Sequence, residues 1–447
     1  MGLKRTLKKT PSAELTFLRR RNNILQKIKG EAALFVSADE KILTRDQHYT
    51  YRQNSDLLYL TGIDETECAL LLLAHSRGPR SVLFIKEKDE HKSRWGKGPM
   101  GLASAKRKYK IDEVRPWENL AKDLTELINF SQVLHYALSS NQEVDNLVIN
   151  TIRTNCGPSI LTPSILCDSR LLTSIMRIRK EKQEIADITH ACEITSNSFI
   201  TIARKLKTLK SESHAAKELE AEFASLGASG LAFNTIVASD KNAVVLHHTP
   251  TFQPLWKSGL VLIDAGASFN GYCADMTRTL PVSGKFTTAQ AQAYDVVMNA
   301  YNAAREKAHP GQSLDEIHKV AVNAICKGLI SLGVLKGKIL ELVANKDYFN
   351  FYMHRTGHWL GLDVHDIAPI TFDGKLMHSY KRPLEAGNII TIEPGLYFNP
   401  ENKLVPSELR GIGIRIEDTI LITQSGNMSL TDAMPKERKE IEELLGR

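Results

Sequence analysis

Gly259-Leu-Val-Leu-Ile-Asp264-Ala-Gly266-Ala-Ser-Phe-Asn270-Gly271-Tyr272-Cys273-Ala-Asp275-Met-Thr-Arg278-Thr is the stretch whose reading decides the fold. An apolar run ends in one acid, and a second run carries another. Asn-Gly between such runs is the strongest short-range signal for a two-residue hairpin. A turn there sets Asp275 opposite Gly266. Asp264 lies two residues from Gly266, so it shares that face and becomes the diagonal neighbour of Asp275, with backbones about 7–8 Å apart. Carboxylates so placed can reach from both sides towards metal ions about 3.5–4 Å apart. A solvated face with both acids in water is the alternative, but residues 260–263 are too apolar for an open surface.

A second pair follows. Asn388-Ile-Ile-Thr-Ile392-Glu393-Pro394 is a strand running into an acid, and the proline biases Glu393 towards extended geometry. In Gly411-Ile-Gly413-Ile-Arg415-Ile-Glu417-Asp the isoleucines take one face and Gly413, Arg415 and Glu417 the other. The glycines leave room for a close approach to the backbone. Arg415 could hold a ligand carboxylate in orientation, or form an ordinary surface ion pair. The loop from 395 to 410 is too long for a tight hairpin, so pairing of these strands is not implied. Histidines cluster as well: His354, His358 and His365 fall within twelve residues, and His247-His248 end another apolar run. Imidazole is a common metal ligand and a donor that titrates near neutrality, but spacing does not say which histidine binds metal.

Four acids with nearby imidazoles form an oxygen-rich site suited to Mn²⁺, with Co²⁺, Zn²⁺ and Fe²⁺ also fitting. Four carboxylates carry too much charge for one cation, which implies two. Such a pair lowers the pKa of a bridging water towards about 7 and polarises a carbonyl, pointing to amide or ester hydrolysis. Phosphate-loop, dinucleotide-binding and serine-elbow motifs are missing.

The rest of the chain sets the frame. Its 447 residues allow one to three domains; 42% apolar and 24% charged exclude a disordered, collagen-like or disulfide-stapled protein. The longest apolar run, 68–74, is too short to span a membrane, so a soluble, cytoplasmic protein is expected. Of the formal charge of +7, an excess of eight sits in the first 30 residues, so no basic body for nucleic acid is expected. That basic segment reads as a surface amphipathic helix, an organelle-targeting segment or a weak nucleic-acid or membrane patch. The six cysteines lack CxxC spacing and read as small residues in a reducing compartment. Alternating strand-like and helical runs predict an α/β domain over 1–175. Helical patterns at 185–206, 287–308 and 313–332 between strand pairs predict an α+β domain with an antiparallel sheet over 176–447.

At these residues the chain resembles the aminopeptidase P family, the Xaa-Pro aminopeptidases among the pita-bread metallopeptidases. The resemblance runs from about Ala13 to the C-terminus and includes Tyr51-Arg-Gln-Asn-Ser-Asp56, Phe233-Asn-Thr-Ile-Val, Leu246-His247, Ala274-Asp275-Met-Thr-Arg-Thr, His358-Trp-Leu-Gly-Leu-Asp-Val-His365-Asp, Ile392-Glu393-Pro-Gly-Leu-Tyr and Gly413-Ile-Arg415-Ile-Glu417-Asp. It implies a creatinase-like N-terminal α/β domain before a pita-bread catalytic domain, and cleavage of the Xaa-Pro bond by a metal-bridging hydroxide. It implies Asp264 on one metal, Asp275 and Glu417 bridging, and His358 and Glu393 on the other, with Glu393 as proton acceptor. His247 and His365 would stabilise the tetrahedral state and hold substrate, His354 would line the proline side, and Arg415 would orient the first Asp ligand. The implied partners are proline-containing peptides and further copies of the chain, as homodimer or homotetramer, with Trp95 reaching a neighbouring site. The chain departs from the family at Phe233, where tyrosine is expected, at His248, where an aromatic is usual, and at Arg355-Thr356-Gly357, which replace smaller residues. Prolidase activity on Xaa-Pro dipeptides, methionine aminopeptidase activity, a metal-free creatinase-like hydrolase and a non-catalytic pita-bread binding module are the rival readings.

Overall fold

In the computed structural model, which describes residues 13–75, 80–89, 94, 98–154, 162–372 and 375–446, Asn270 and Gly271 both take positive φ, 50° and 84°. This is the backbone that an Asn-Gly hairpin turn requires. Strand Leu260–Ala265 pairs antiparallel with Met276–Pro281, Asp264 facing Thr277 and Ala265 facing Met276. Nearer the turn, Ser268 faces Cys273 in the same register. Asp275 therefore falls opposite Gly266, as the sequence predicts. The strands draw so close there that a Cβ on Gly266 would collide with the Ala274 carbonyl. All six residues of Leu260–Ala265 are buried, which removes the solvated-face alternative.

The second pair of acids sits in a second antiparallel pairing. Ile392 at the end of Ile389–Ile392 faces Asp418 of Asp418–Ile422, and Gly395 of Gly395–Tyr397 faces Arg415 of Gly413–Arg415. Glu393 and Glu417 lie in register between those ladders. Pairing thus occurs despite the long connection that left it open in the sequence. The two hairpins are stitched together at their middles: Glu417 N–H donates to the Thr277 carbonyl at 3.1 Å, and Thr419 Oγ1 bonds both the N–H and the carbonyl of Asp275. At Gly413 the close approach comes from the protein itself, the carbonyl of Ala243, rather than from a ligand.

Helices Lys182–Lys205, Thr288–Lys307 and Leu314–Ser331 match the predicted ones, and Glu212–Ser225 is an additional helix. Thr287 with Gln290, and Ser313 with Glu316, form capping boxes that satisfy the first free N–H groups of two of these helices. Their apolar faces and the inner faces of the antiparallel strands make one core, including Val297, Tyr301, Ile325, Ile263, Ile392 and Ile416. The strand pairings described in this part of the chain are all antiparallel.

The chain forms two compact units, Met1–Thr173 and Ser174–Arg447. The first holds a six-stranded mixed sheet whose central strand, Ala32–Val36, runs antiparallel to Ala69–Leu73 and parallel to Val133–Tyr136. Both Ala32–Val36 and Ala69–Leu73 are fully buried, which explains their unbroken apolar character. Part of the basic N-terminal excess is not a surface patch. In helix Ala13–Lys27, Arg21 is 1% exposed and donates to the carbonyls of Leu60, Tyr109 and Lys110. The basic cluster at 4–9, Trp95 and Cys156 lie outside the described residues, and the five described cysteines are free.

Gly266→Ala should lower stability by roughly 1–3 kcal/mol, the usual cost of forcing a methyl into a filled space. The denaturation midpoint measures this, and an unchanged midpoint would contradict the close approach.

Candidate functional site

The two hairpins meet beneath a cavity of about 1050 Å³. All nine residues singled out in the sequence line it: His247, Asp264, Asp275, His354, His358, His365, Glu393, Arg415 and Glu417. Single ligand atoms of Asp275, His358 and Glu417 lie within 4.8 Å of one another. His358 Nε2 stands 3.4 Å from Asp275 and 3.7 Å from Glu393. Its Nδ1 is 3.0 Å from the Trp359 carbonyl, a contact that, with Nδ1–H donating, leaves Nε2 free to act as a ligand.

Arg415 is buried, so its surface-pair reading falls. Its Nη2 donates to Asp264 Oδ2 at 2.5 Å, its Nη1 to the Tyr397 hydroxyl and its Nε to Thr277 Oγ1. Thr277 Oγ1 in turn donates to Glu417 Oε2 at 2.6 Å. The other oxygen of Asp264, Oδ1, is buried with no hydrogen-bond partner. Native proteins rarely leave such an atom unsatisfied. An oxygen of this kind on a cavity wall, beside three more acids, fits a cation.

The electrostatics agree. Two charges about 4–5 Å apart repel by on the order of 3 kcal/mol at an effective dielectric of about 20, a large share of a typical domain's net stability. Burial, strengthened by the other acids, outweighs the pull of His358 and raises Asp275 to about 6 and Glu393 to about 7. Burial and then the neighbouring acids lift Glu417 well above the usual carboxylate range. His358 moves upward, to about 9, because Asp275 and Glu393 outweigh its own burial. His354 and His365 are pushed down, to about 3 and about 4, first by burial and then by neighbouring positive groups. They remain neutral donors or acceptors at physiological pH. The site without metal therefore combines acids that hold their protons, a cationic His358, and neutral His354 and His365.

His354 Nε2 contacts the Tyr397 hydroxyl at 2.9 Å, its Nδ1 contacts the Arg355 carbonyl, and its ring stands edge-on to Tyr352 at 4.9 Å. His365 lies against His358, with ring centroids 4.1 Å apart. Phe233 and His248, two of the departures noted above, also line the cavity. Thr277, Tyr397 and Thr391, whose Oγ1 accepts from the His358 N–H, were not singled out in the sequence. Alternation could have found two of them: Thr277 shares the face of Asp275, and Tyr397 that of Glu393.

Acidic oxygens and an imidazole converging in one buried cluster are the donor set of a metal-dependent hydrolase. The comparison with known families narrows this. Residues 186–424 match the model for metallopeptidase family M24, and residues 17–135 match that for the aminopeptidase P N-terminal domain. The chain belongs to metallopeptidase family M24, with a pita-bread catalytic domain, and it uses a divalent metal. It is 37% identical to the Xaa-Pro aminopeptidase of Escherichia coli over 96% of this chain and 97% of that one. It is similar to the solved proline aminopeptidase P II from Yersinia pestis, with TM-score 0.90 and 36% identity, covering 97% of this chain and 99% of that one. A variant of Escherichia coli aminopeptidase P in complex with substrate gives the same TM-score and identity, covering 97% and 98%.

The raised acids fix the sign of a pH effect. Without metal, the folded chain holds protons on Asp275, Glu393 and Glu417 that the unfolded chain has released above about pH 4. Their contribution is lost as pH rises, through about 6 for Asp275 and about 7 for Glu393. His358 acts in the same direction, its contribution being lost as pH rises towards about 9. His354, His365 and His318, pushed down by burial, act the other way, their contribution being lost as pH falls below about 6.5, but the three acids and His358 outweigh them. Chelator-treated protein should therefore melt lower at about pH 7.5 than at about pH 5.5, and the gap to metal-loaded protein should widen. Scanning calorimetry of both forms reads this; a gap that narrows would contradict it.

Proposed function

We propose that the protein is a dinuclear metallo-aminopeptidase that releases the N-terminal residue from peptides with proline in second position. The observation that carries this reading is the convergence of four carboxylates, one of them with an orphaned oxygen on Asp264, and five imidazoles around one cavity. The near full-length similarity to Xaa-Pro aminopeptidases supports the substrate class.

In this reading Asp264, Asp275, His358, Glu393 and Glu417 are the metal ligands. Two divalent ions are required by the charge of four acids, and Mn²⁺ suits oxygen donors with one nitrogen. When bound, they acidify a water and polarise the scissile carbonyl. The chain's own residues do the rest. Arg415 holds the Asp264 carboxylate, and Thr277 holds that of Glu417, so both present a fixed oxygen. Glu393, on the cavity wall, would accept the proton of the attacking water and pass it to the leaving proline nitrogen. His247 and His365 hold the substrate and stabilise the tetrahedral state, and His354 borders the proline ring. The Xaa-Pro bond is a tertiary amide with no N–H and a fixed φ, so recognition rests on shape and on the carbonyl rather than on an amide donor. The same reading includes a homodimeric or homotetrameric assembly and a cytoplasmic location; no described helix is long and apolar enough to cross a membrane.

Protein stripped with chelator and reloaded with Mn²⁺ should release alanine from Ala-Pro-Ala. Cleavage of Ala-Pro alone would indicate a prolidase, and no cleavage of either with any of several divalent metals would favour a binding module. Glu393→Gln should lower kcat by roughly 10²–10⁴, the range of a lost general base. Metal content measured beside turnover separates lost proton transfer from lost ions.

A further inference from the structure

His247 and His365 share one condition. Both line the cavity, both are exposed to it, and neither imidazole hydrogen-bonds another group among the described residues. A ring with no hydrogen-bond partner takes its position from the backbone that bears it and, for His365, also from packing on His358. In each case the next residue is held by a polar contact to a buried side chain. Asp366, after His365, is held by Arg177 at 2.5 Å and Lys180 at 3.0 Å, all with side chains 3% exposed or less. His248, after His247, contacts Glu212 Oε2 through Nε2 at 2.8 Å, and the Glu212 side chain is fully buried.

Glu212 opens helix Glu212–Ser225, where the helix dipole favours a carboxylate. Its Oε1 accepts from Ser239 N–H and Asn242 Nδ2, and its Oε2 from His248, Thr251 N–H and Thr251 Oγ1. Burial opposes its charge, but these donors outweigh it and hold the carboxyl below its ordinary value. Ser213 adds bonds from its N–H to the Thr251 carbonyl and from its hydroxyl to that of Pro250. The segment just past His247 is thereby fastened to the first turn of a core helix. His248 is the one member of this set that is a departure from the family pattern and that directly adjoins the unpartnered ring.

We propose that His248, anchored on Glu212, is a positioning residue for His247, fixing its imidazole against the substrate. This rests on the reading that His247 acts on bound Xaa-Pro peptide. The test is a double-mutant cycle in the full-length, Mn²⁺-loaded protein, comparing His248→Ala and His248→Gln with and without His247→Ala on Ala-Pro-Ala. His248→Ala should lower kcat/KM by roughly tenfold to a hundredfold, mainly in kcat, as small misplacements of a catalytic group do. His248→Gln keeps an N–H towards Glu212 and should restore most of the loss. In the His247→Ala background, His248→Ala should cost nothing further. Hydrogen exchange of residues 246–251 should rise in His248→Ala. Equal losses in both backgrounds would overturn the coupling, and unchanged exchange would overturn the fastening. If the unaltered protein cleaves no Xaa-Pro peptide, the functional reading falls, while the exchange result still decides the fastening.

Discussion

Like charge in a confined space is the constraint on which this structure turns. Asp264, at the end of a strand, and Asp275, Glu393 and Glu417, in breaks between strand segments, converge at the floor of the cavity. Left to themselves they repel, and burial, reinforced by that repulsion, raises the affinity of three of them for protons. Everything around them is arranged to hold oxygen atoms that would otherwise move apart. Arg415 neutralises one side of Asp264, Thr277 fixes Glu417, and the stitches through Thr277 and Thr419 stop the two hairpins from separating. The divalent metal is the remaining counter-charge.

The environment is sharply divided at this seam. Glu417 and Asp418 are neighbours in the chain, yet burial beside other acids raises the first, while Arg278, Lys436, Tyr301 and Thr431 overcome burial and bring the second to about 2. Arg278 also donates to the Glu417 carbonyl and the Thr277 carbonyl, so the strongly paired side of the strand braces the strained side. Asp418 contributes rigidity, and Glu417 contributes chemistry. The alternation of a β-strand permits both within two residues.

Much of this was legible in the amino-acid sequence because it follows from local rules. Asn270-Gly271 specified a turn, the turn specified a register, and the register carried Asp275 to its place opposite Gly266. The helix positions followed from apolar periodicity. What escaped was long-range. No local rule joins residues 389–397 to 413–422 across so long a connection, and the sequence left their pairing open. The stretch around 176–184 read as a charged boundary, yet Arg177 and Lys180 are buried on Asp366, 186 or more residues away. The glycines at 411 and 413 suggested an approaching partner without revealing it as the chain's own Ala243. Glu212 was invisible as a hub because its five donors are dispersed over residues 239–251.

The repulsion among the acids has a further consequence, for descent rather than for catalysis. Exchanging Asp275 or Glu393 for its amide would remove the cation but also the strain, leaving the turn, the stitches and the helical caps untouched. Such a chain would fold at least as readily as the metal-free form and would keep the groove. Where metal is scarce, drift from hydrolase to inert receptor therefore costs nothing in stability, and the stability added by bound metal, together with selection for turnover, keeps all four acids in place.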